Sequence, residues 1–367
     1  MPSAPKHADS LLLITIFALT IFGLIMVGSA SSVLATRFQE DPFFFLKHQL
    51  LYGVTFGLIA FVIGLFTPYT KLRPLAAPAM LIALILLVLV FVPGLRVASG
   101  GATRWIGIGS FTVQPSELAK LGFILYLAAL LERKGASIRD FKQSVIPFLV
   151  IVAVIGILII LQPDIGTLFV ITAIGLSMIF SAGFKVKHLA FIGLSGLALF
   201  SLLVATAQYR LNRLFVYLHP ELDPQGIGYQ VNQALLAVGT GGLWGLGFGR
   251  SRQKYNYLPE PAGDTIFAVT AEELGFFRTL LLLGAFVVVA YRGYDIARRA
   301  PDMFGRLLAT GITTWIVVQA FVNMASVLAI TPLTGIPLPF ISYGGSALAA
   351  LFYASGVLLN ISRYTTD

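Results

Sequence analysis

GTGGLWGLGFGRSRQKYNYLPEPAGDTIFAVTAEELGF, residues 239–276, decides how this chain reads. It opens on a run of glycines and passes through Arg250, Arg252 and Lys254 to the turn Leu258-Pro259-Glu260. After Gly263-Asp264-Thr265 it enters an apolar helix that carries Glu272 and Glu273. Long apolar runs lie on both sides of it. A segment needs no such polar equipment to cross a bilayer, and ionisable groups at membrane depth are costly and mark function. The chemistry is expected here.

The 367 residues are 57% hydrophobic and 11% charged, with a mean hydropathy of +0.88. A soluble domain carries about 25% charged residues, so this is an all-α polytopic membrane protein. The net charge of +9, from 25 basic and 16 acidic residues, reports topology. Nucleic-acid binding is excluded, because no recognition motif accompanies the charge. Cysteine is absent, which removes disulfides and thiolate metal sites. His7, His48, His188 and His219 have no ligand spacing and read as loop or interface residues.

Taking about 20 apolar residues per span, ten spans fall near 11–33, 49–67, 76–93, 114–131, 145–161, 164–182, 189–207, 265–291, 305–330 and 343–361. The first exceeds the apolar core of a signal peptide, roughly 7–15 residues, and reads as a retained helix. Basic residues gather in inner loops. With both termini inside, 14 of the 25 fall in inner segments, among them Lys71, Arg73, Arg133 and Arg363. The whole chain, 1–367, is one membrane domain with a long outer loop at about 208–264. Loop 94–113 and the final loop from Thr331 to Ser346 are rich in Gly or Pro yet apolar. Such backbone survives at membrane depth only when protein covers it.

Several residues hold two readings. Glu117 and Lys120 share a helical face, as a self-neutralising pair or as a cation offered to an anionic ligand. Asp164, after Pro163, is placed as an N-cap or as a site residue. Arg104, beside Trp105, is an interface anchor or a phosphate ligand. The glycine run lacks the P-loop pattern, leaving close packing against helices or, with Arg250, Arg252 and Lys254, a phosphate cradle. Asp264 is the sharpest candidate, as an N-cap or as a base. Glu272 and Glu273 do not form a contiguous carboxylate pair with it on one helix, so partners come from other helices, such as Lys120 or Glu117.

The segments ATRWIGIGSFTVQPSELAKL (102–121), LQPDIGT (161–167), 226–276 and PLTGIPLPFISYGGSALAALF (332–352) resemble the SEDS family of FtsW, RodA and SpoVE. MVGSASS (26–32) and GGATRWIGIG (100–109) look more like its division-type branch than the elongation-type one. The resemblance implies ten helices and a peptidoglycan glycosyltransferase that polymerises lipid II at the outer face of the bacterial cytoplasmic membrane. It also implies a class B penicillin-binding protein as partner, together with other divisome or elongasome proteins. The family's catalytic aspartate falls on Asp264. Substrate contacts are expected from Arg104, Glu117, Lys120, Asp164, Gln233, Arg250, Lys254 and Glu260. No protein metal site is read, although a divalent cation could assist. Where the family commonly reads TDFIFA, this chain has GDTIFA, which puts Thr265 beside the aspartate. A lipid II flippase is the rival reading.

Overall fold

The computed structural model describes residues 7–99, 102–108, 111–135, 141–205, 211, 217–218, 226–255 and 257–365. Gly100, Gly101, His219 and most of the expected loop from 208 to 225 lie outside the described residues. The helices are α1 (Ser10–Gln39), α2 (Phe44–His48), α3 (Thr55–Phe66), α4 (Ala76–Leu89), α5 (Pro115–Lys134) and α6 (Phe141–Ile160). After them come α7 (Ile165–Ser181), α8 (Val186–Ala205), α9 (Ile227–Gly241), α10 (Ile266–Arg299), α11 (Met303–Val327) and α12 (Gly345–Ser362). A π-helical turn, Gln49–Val54, joins α2 to α3. A helix thus lies in each of the ten expected segments. Five described stretches are long and apolar enough to cross a membrane: Ser10–Arg37, Phe44–Phe66, Ile266–Arg299, Met303–Val327 and Gly345–Ser362.

Helix α1 shows why the bundle is built for lipid. Asp9 caps it by accepting from Leu12 N at 2.9 Å. Leu12, Ile16, Leu19, Met26 and Val27 face the interior, while Leu11, Ile14, Ile21 and Ile25 on the other side are half exposed or more. A helix that is apolar all round has no water-facing side. At the centre stands α11, 78% buried against 28% for α10. Glycine lets α3 and α12 touch. A Cβ at Gly64 would sit 2.6 Å from Tyr353 O, and one at Gly356 2.3 Å from Phe61 O. Small residues of this kind are what allow helix backbones to approach in a bilayer, where lipid supplies no hydrophobic drive between helices.

Three features depart from the sequence reading. The chain is not purely helical: β1 (Arg96–Ser99), β2 (Ala102–Ile108) and β3 (Phe111–Val113) form an antiparallel sheet of order β1-β2-β3 within the expected loop 94–113. Trp105 opposes Val97, and Ile106 opposes both Arg96 and Val113. The expected loop 208–264 contains α9, a 15-residue helix that the sequence reading did not name.

Finally, α10 is broken at Gly275 (φ 76°, ψ 178°). The glycine run fills the break. Leu246 N and Gly247 N donate to the carbonyls of Glu272 and Glu273, both at 3.0 Å, while Phe276 N donates to Gly242 O at 2.9 Å. A Cβ on Gly241, Gly245 or Gly275 would each come within 2.2 Å of the facing backbone. Packing is therefore what the run does, in place of a phosphate cradle.

Gly64→Leu is expected to lower the melting temperature of the detergent-solubilised chain, since overpacking costs about 1–3 kcal/mol. Gly284→Ala, with open space around it, is expected to leave stability unchanged or raised, because Ala outranks Gly in a helix. Differential scanning fluorimetry of both variants checks the contrast.

Candidate active site

A cavity of about 1750 Å³ opens beside the segment that carries Asp264. Its polar lining includes Asp264, Arg104, Gln230 and Glu260, and its apolar lining includes Phe56, Leu72, Leu75 and Ala79.

Asp264 is held by its backbone. Its carbonyl accepts from Asn323 Nδ2 at 2.7 Å, and the same amide donates to Ile336 O at 2.8 Å. One residue earlier, Gly263 O accepts from Ser342 Oγ at 2.7 Å, and Ala262 O accepts from Tyr343 N at 2.8 Å. One residue later, Thr265 Oγ1 donates to Pro259 O (2.7 Å) and Glu260 O (2.9 Å). The threonine that departs from the family pattern is thus a tether for the turn below the carboxylate. Thr265, and not Asp264, occupies the N-cap position of α10, and it makes no side-chain cap bond. This corrects the N-cap expectation: the helix begins one residue too late for Asp264 to cap it.

Arg104 on β2 donates from Nη2 to Pro163 O and from Nε to Gln162 O at 3.4 Å. Its Nη1 lies 3.9 Å from Asp164 Oδ1. Asp164 also caps α7, accepting from Thr167 N at 3.2 Å and Thr167 Oγ1 at 2.8 Å. The N-cap reading holds, and the same carboxylate sits beside the Arg104 guanidinium, while Asp164 itself is not among the residues that line the cavity. Arg104 and Asp264 meet around Gly335. A Cβ there would lie 3.5 Å from Arg104 Nη1 and 3.7 Å from Asp264 Oδ2. Gly335 has φ +66°, a conformation that suits glycine.

Lys120 does not line the cavity. It is fully buried, 2.8 Å from Glu117 Oε1, and donates to Gln319 Oε1. It also sits 4.9 Å over the Trp315 ring. Gln319 Nε2 then donates to Pro337 O at 3.0 Å, and Pro337 does line the cavity. The pair therefore braces the wall from behind. Lys120 and Asp264 still converge on α11, through Gln319 and Asn323, one helical turn apart. Neither was named from sequence, although two polar amides at i and i+4 in an apolar helix are a visible signal.

Besides Glu117, Lys120 and Asp164, three more expected substrate contacts are absent from the cavity lining. Lys254 is buried, 2.9 Å from Glu273 Oε1, and donates to Ser29 Oγ at 3.0 Å and Gly249 O at 2.8 Å. Glu273 completes this node by accepting from Ser29 Oγ and Gly249 N. Its neighbour Glu272 accepts from Ser251 Oγ and Arg252 N. Arg250 is exposed on the turn beyond. Gln233 stands one turn along α9 from Gln230, and it is Gln230 that reaches the cavity. Basic residues after a glycine run looked like phosphate ligands. The break at Gly275 consumed Lys254 as a counter-ion, and left Arg250 outside. Among the described residues no group of three or more His, Cys, Asp or Glu side chains converges as a metal site.

Two outcomes follow. Gly335→Ala is expected to cut turnover by about tenfold or more, because a Cβ there is strained at positive φ and intrudes between Arg104 and Asp264. Steady-state rates on a variant of normal melting temperature check it. Lys254→Ala leaves the Glu273 charge buried and uncompensated, a loss of about 3–5 kcal/mol to be read as reduced thermal stability. Arg250→Ala should leave stability within about 0.5 kcal/mol, as for other surface changes.

Comparison with known proteins gives this arrangement a family. A family model described as "Cell cycle protein", built on FtsW, RodA and SpoVE, matches residues 9–367. The chain is 46% identical over 365 residues to "Stage V sporulation protein E" of Bacillus subtilis, covering 100% of both. It is 41% identical over 358 residues to "Probable peptidoglycan glycosyltransferase FtsW" of Geobacter sulfurreducens, covering 97% of this chain and 95% of that one. Among solved structures, it matches a chain of "Structural coordination of polymerization and crosslinking by a peptidoglycan synthase complex" with TM-score 0.79 and 28% identity, covering 97% of this chain and 98% of that one. The crystal structure of the Thermus thermophilus rod shape determining protein RodA matches with TM-score 0.71 and 27% identity, at 98% coverage of each. The chain belongs to the FtsW/RodA/SpoVE family.

Proposed function

We propose that this protein is a peptidoglycan glycosyltransferase that polymerises lipid II, with Asp264 as its general base. The observation that carries the proposal is the meeting of Asp264 and Arg104 around Gly335, in a cavity that also has an apolar lining. A sugar hydroxyl of the acceptor attacks the anomeric carbon of the donor. Its proton passes to the Asp264 carboxylate as the new C–O bond forms, the kind of transfer a positioned carboxylate supplies. The C–O bond to the lipid pyrophosphate breaks, and its electron pair leaves with the phosphate oxygen. Arg104 faces that developing charge, and preorganised donors of this type are worth the most where water is excluded. Lys120 contributes by bracing the wall, through Gln319 and Pro337. Asp164 keeps the guanidinium aimed.

The apolar lining suits a polyprenyl chain. The stretch from His48 to Phe66 spans about 27 Å at 1.5 Å per residue, and both His48 and Leu72, just past its end, line the cavity. The topology we assign has ten spans, with both termini inside and the polar end facing outward. The β-sheet, α9 and the 331–344 segment gather at that end, while Arg73, Arg306 and Arg363 lie toward the other, as the basic-residue rule requires. A flippase needs a polar route across both faces. Leu72, Leu75 and Ala79 at the inner end do not provide one. We assign the division-type setting, with a class B penicillin-binding protein as partner. The likeness to a chain from a complex that couples polymerisation to crosslinking supports the partnership.

Asp264→Asn is expected to fold, insert and bind lipid II, yet lose polymerisation by at least about a hundredfold, within the range for a general base. Gel separation of glycan products from the protein purified with its partner checks this. Full-length products from the variant would overturn the assignment. Lipid II flipping in vesicles without polymer would favour the transporter.

A further inference from the structure

The cavity has a second wall that the chemistry above leaves without a role. It is built where α2 meets the π-helical turn Gln49–Val54. Such turns are rare and recur at functional sites, and here the cause is visible. Gln49, 2% exposed, accepts from Gly344 N at 3.0 Å. A Cβ on Gly53 would lie 3.3 Å from Gly345 Cα. The turn thus seats Gln49 and Gly53 against the start of α12. His48 and Tyr52 line the cavity, with ring centroids 4.4 Å apart. Tyr343 joins them: its hydroxyl is 2.9 Å from His48 Nδ1, and its backbone N–H bonds Ala262 O at 2.8 Å, two residues before Asp264. One hydrogen-bonded path therefore links this wall to the segment that carries the base.

We propose that His48, Tyr52 and Tyr343 form the saccharide subsite for the acceptor, an inference that rests on the polymerase reading. A pyranose ring has an apolar C–H face and a rim of hydroxyls. Aromatic rings offer a negative face to the first, while imidazole and phenol exchange hydrogen bonds with the second. The donor sugar is tied to its pyrophosphate and so lies beside Arg104, which is the only Lys or Arg lining the cavity among the described residues. A wall anchored to residue 262 presents its sugar to Asp264, which is where the attacking hydroxyl must be. The two walls thereby divide the reaction, the departing pyrophosphate at Arg104 and the acceptor glycan on the aromatic face.

The test uses the full chain purified with its partner. His48→Ala and Tyr52→Ala are expected to raise KM for lipid II about three- to tenfold, the fold-change set by losing one aromatic contact. Turnover should stay within about twofold and glycan strands should shorten. Tyr52→Phe keeps the ring and loses only the hydroxyl, so its KM should fall between those of the parent and Tyr52→Ala, which separates lost stacking from misfolding. Unchanged KM and strand length in both alanine variants, or a fall confined to kcat, overturns the subsite. If the unsubstituted chain makes no polymer, the polymerase reading has failed. Lipid II binding by the same variants on an Asp264→Asn background then decides the subsite: weakened binding supports it, and parental affinity overturns it.

Discussion

One side-chain amide holds the polar end together. Asn323 Nδ2 bonds the carbonyl of Asp264 and that of Ile336, and these belong to the two irregular segments that make the cavity. Non-helical backbone has no water to turn to at membrane depth and must find its partners in protein. Gln319, one turn earlier on α11, does the same for Pro337. One of the two most buried of the five long apolar helices thus supports the least regular backbone. A helix amide is a suitable support, because its position is fixed by packing on every side. The carboxylate thereby inherits the rigidity of α11 without belonging to it.

The buried charges divide by role once their partners are known. Lys120 with Glu117 and Lys254 with Glu273 are closed pairs, each less than about a tenth exposed. Desolvating such pairs is expensive, and their value lies in fixing geometry once made, since removing either partner strands a charge. Lys120 braces the wall behind Pro337, and Lys254 ties the glycine-run loop to α1 through Ser29. Arg104 differs. Its contacts are two backbone carbonyls and a carboxylate nearly 4 Å away, which orient the guanidinium and leave it facing the cavity. An anion meeting Arg104 need not first break a tight ion pair.

The helical segments were legible because apolar length is a one-dimensional signal, and a helix lies in each expected segment. The β-sheet was not. Ala102–Ile108 mixes Gly, Arg and Trp, and its pairing partners are identified only by strand register, which sequence does not print. The same limit explains the site residues. Asp264, Arg104 and Glu260 line the cavity as expected because each lies in a segment with no other reason to be polar. Lys254 failed because its partner, Glu273, is nineteen residues away across a break that one glycine makes. Gly275 reads as an ordinary helix residue in sequence, and only the backbone of Trp244 and Gly245 packed against it reveals why it must be glycine. Gln319 and Asn323 were readable as amides in an apolar helix but were passed over in favour of charged residues.

The break in α10 bears on Asp264 itself. From Ile266 to Leu274 the segment before the break has nine residues, shorter than the roughly 12–15 at which an isolated helix becomes even marginally stable. Its position is therefore set at its ends. At the back, Glu272 and Glu273 take donors from the loop that fills the break, and their own carbonyls are capped by Leu246 and Gly247. At the front, Thr265 fastens the helix to Pro259 and Glu260. An uninterrupted α10 would carry Asp264 on a long rod, tilted by whatever its far end touches in the bilayer. Breaking the rod isolates a short segment anchored within the protein at both ends. The glycines, whose sequence left close packing and a phosphate cradle both open, let two backbones come close enough for that anchoring.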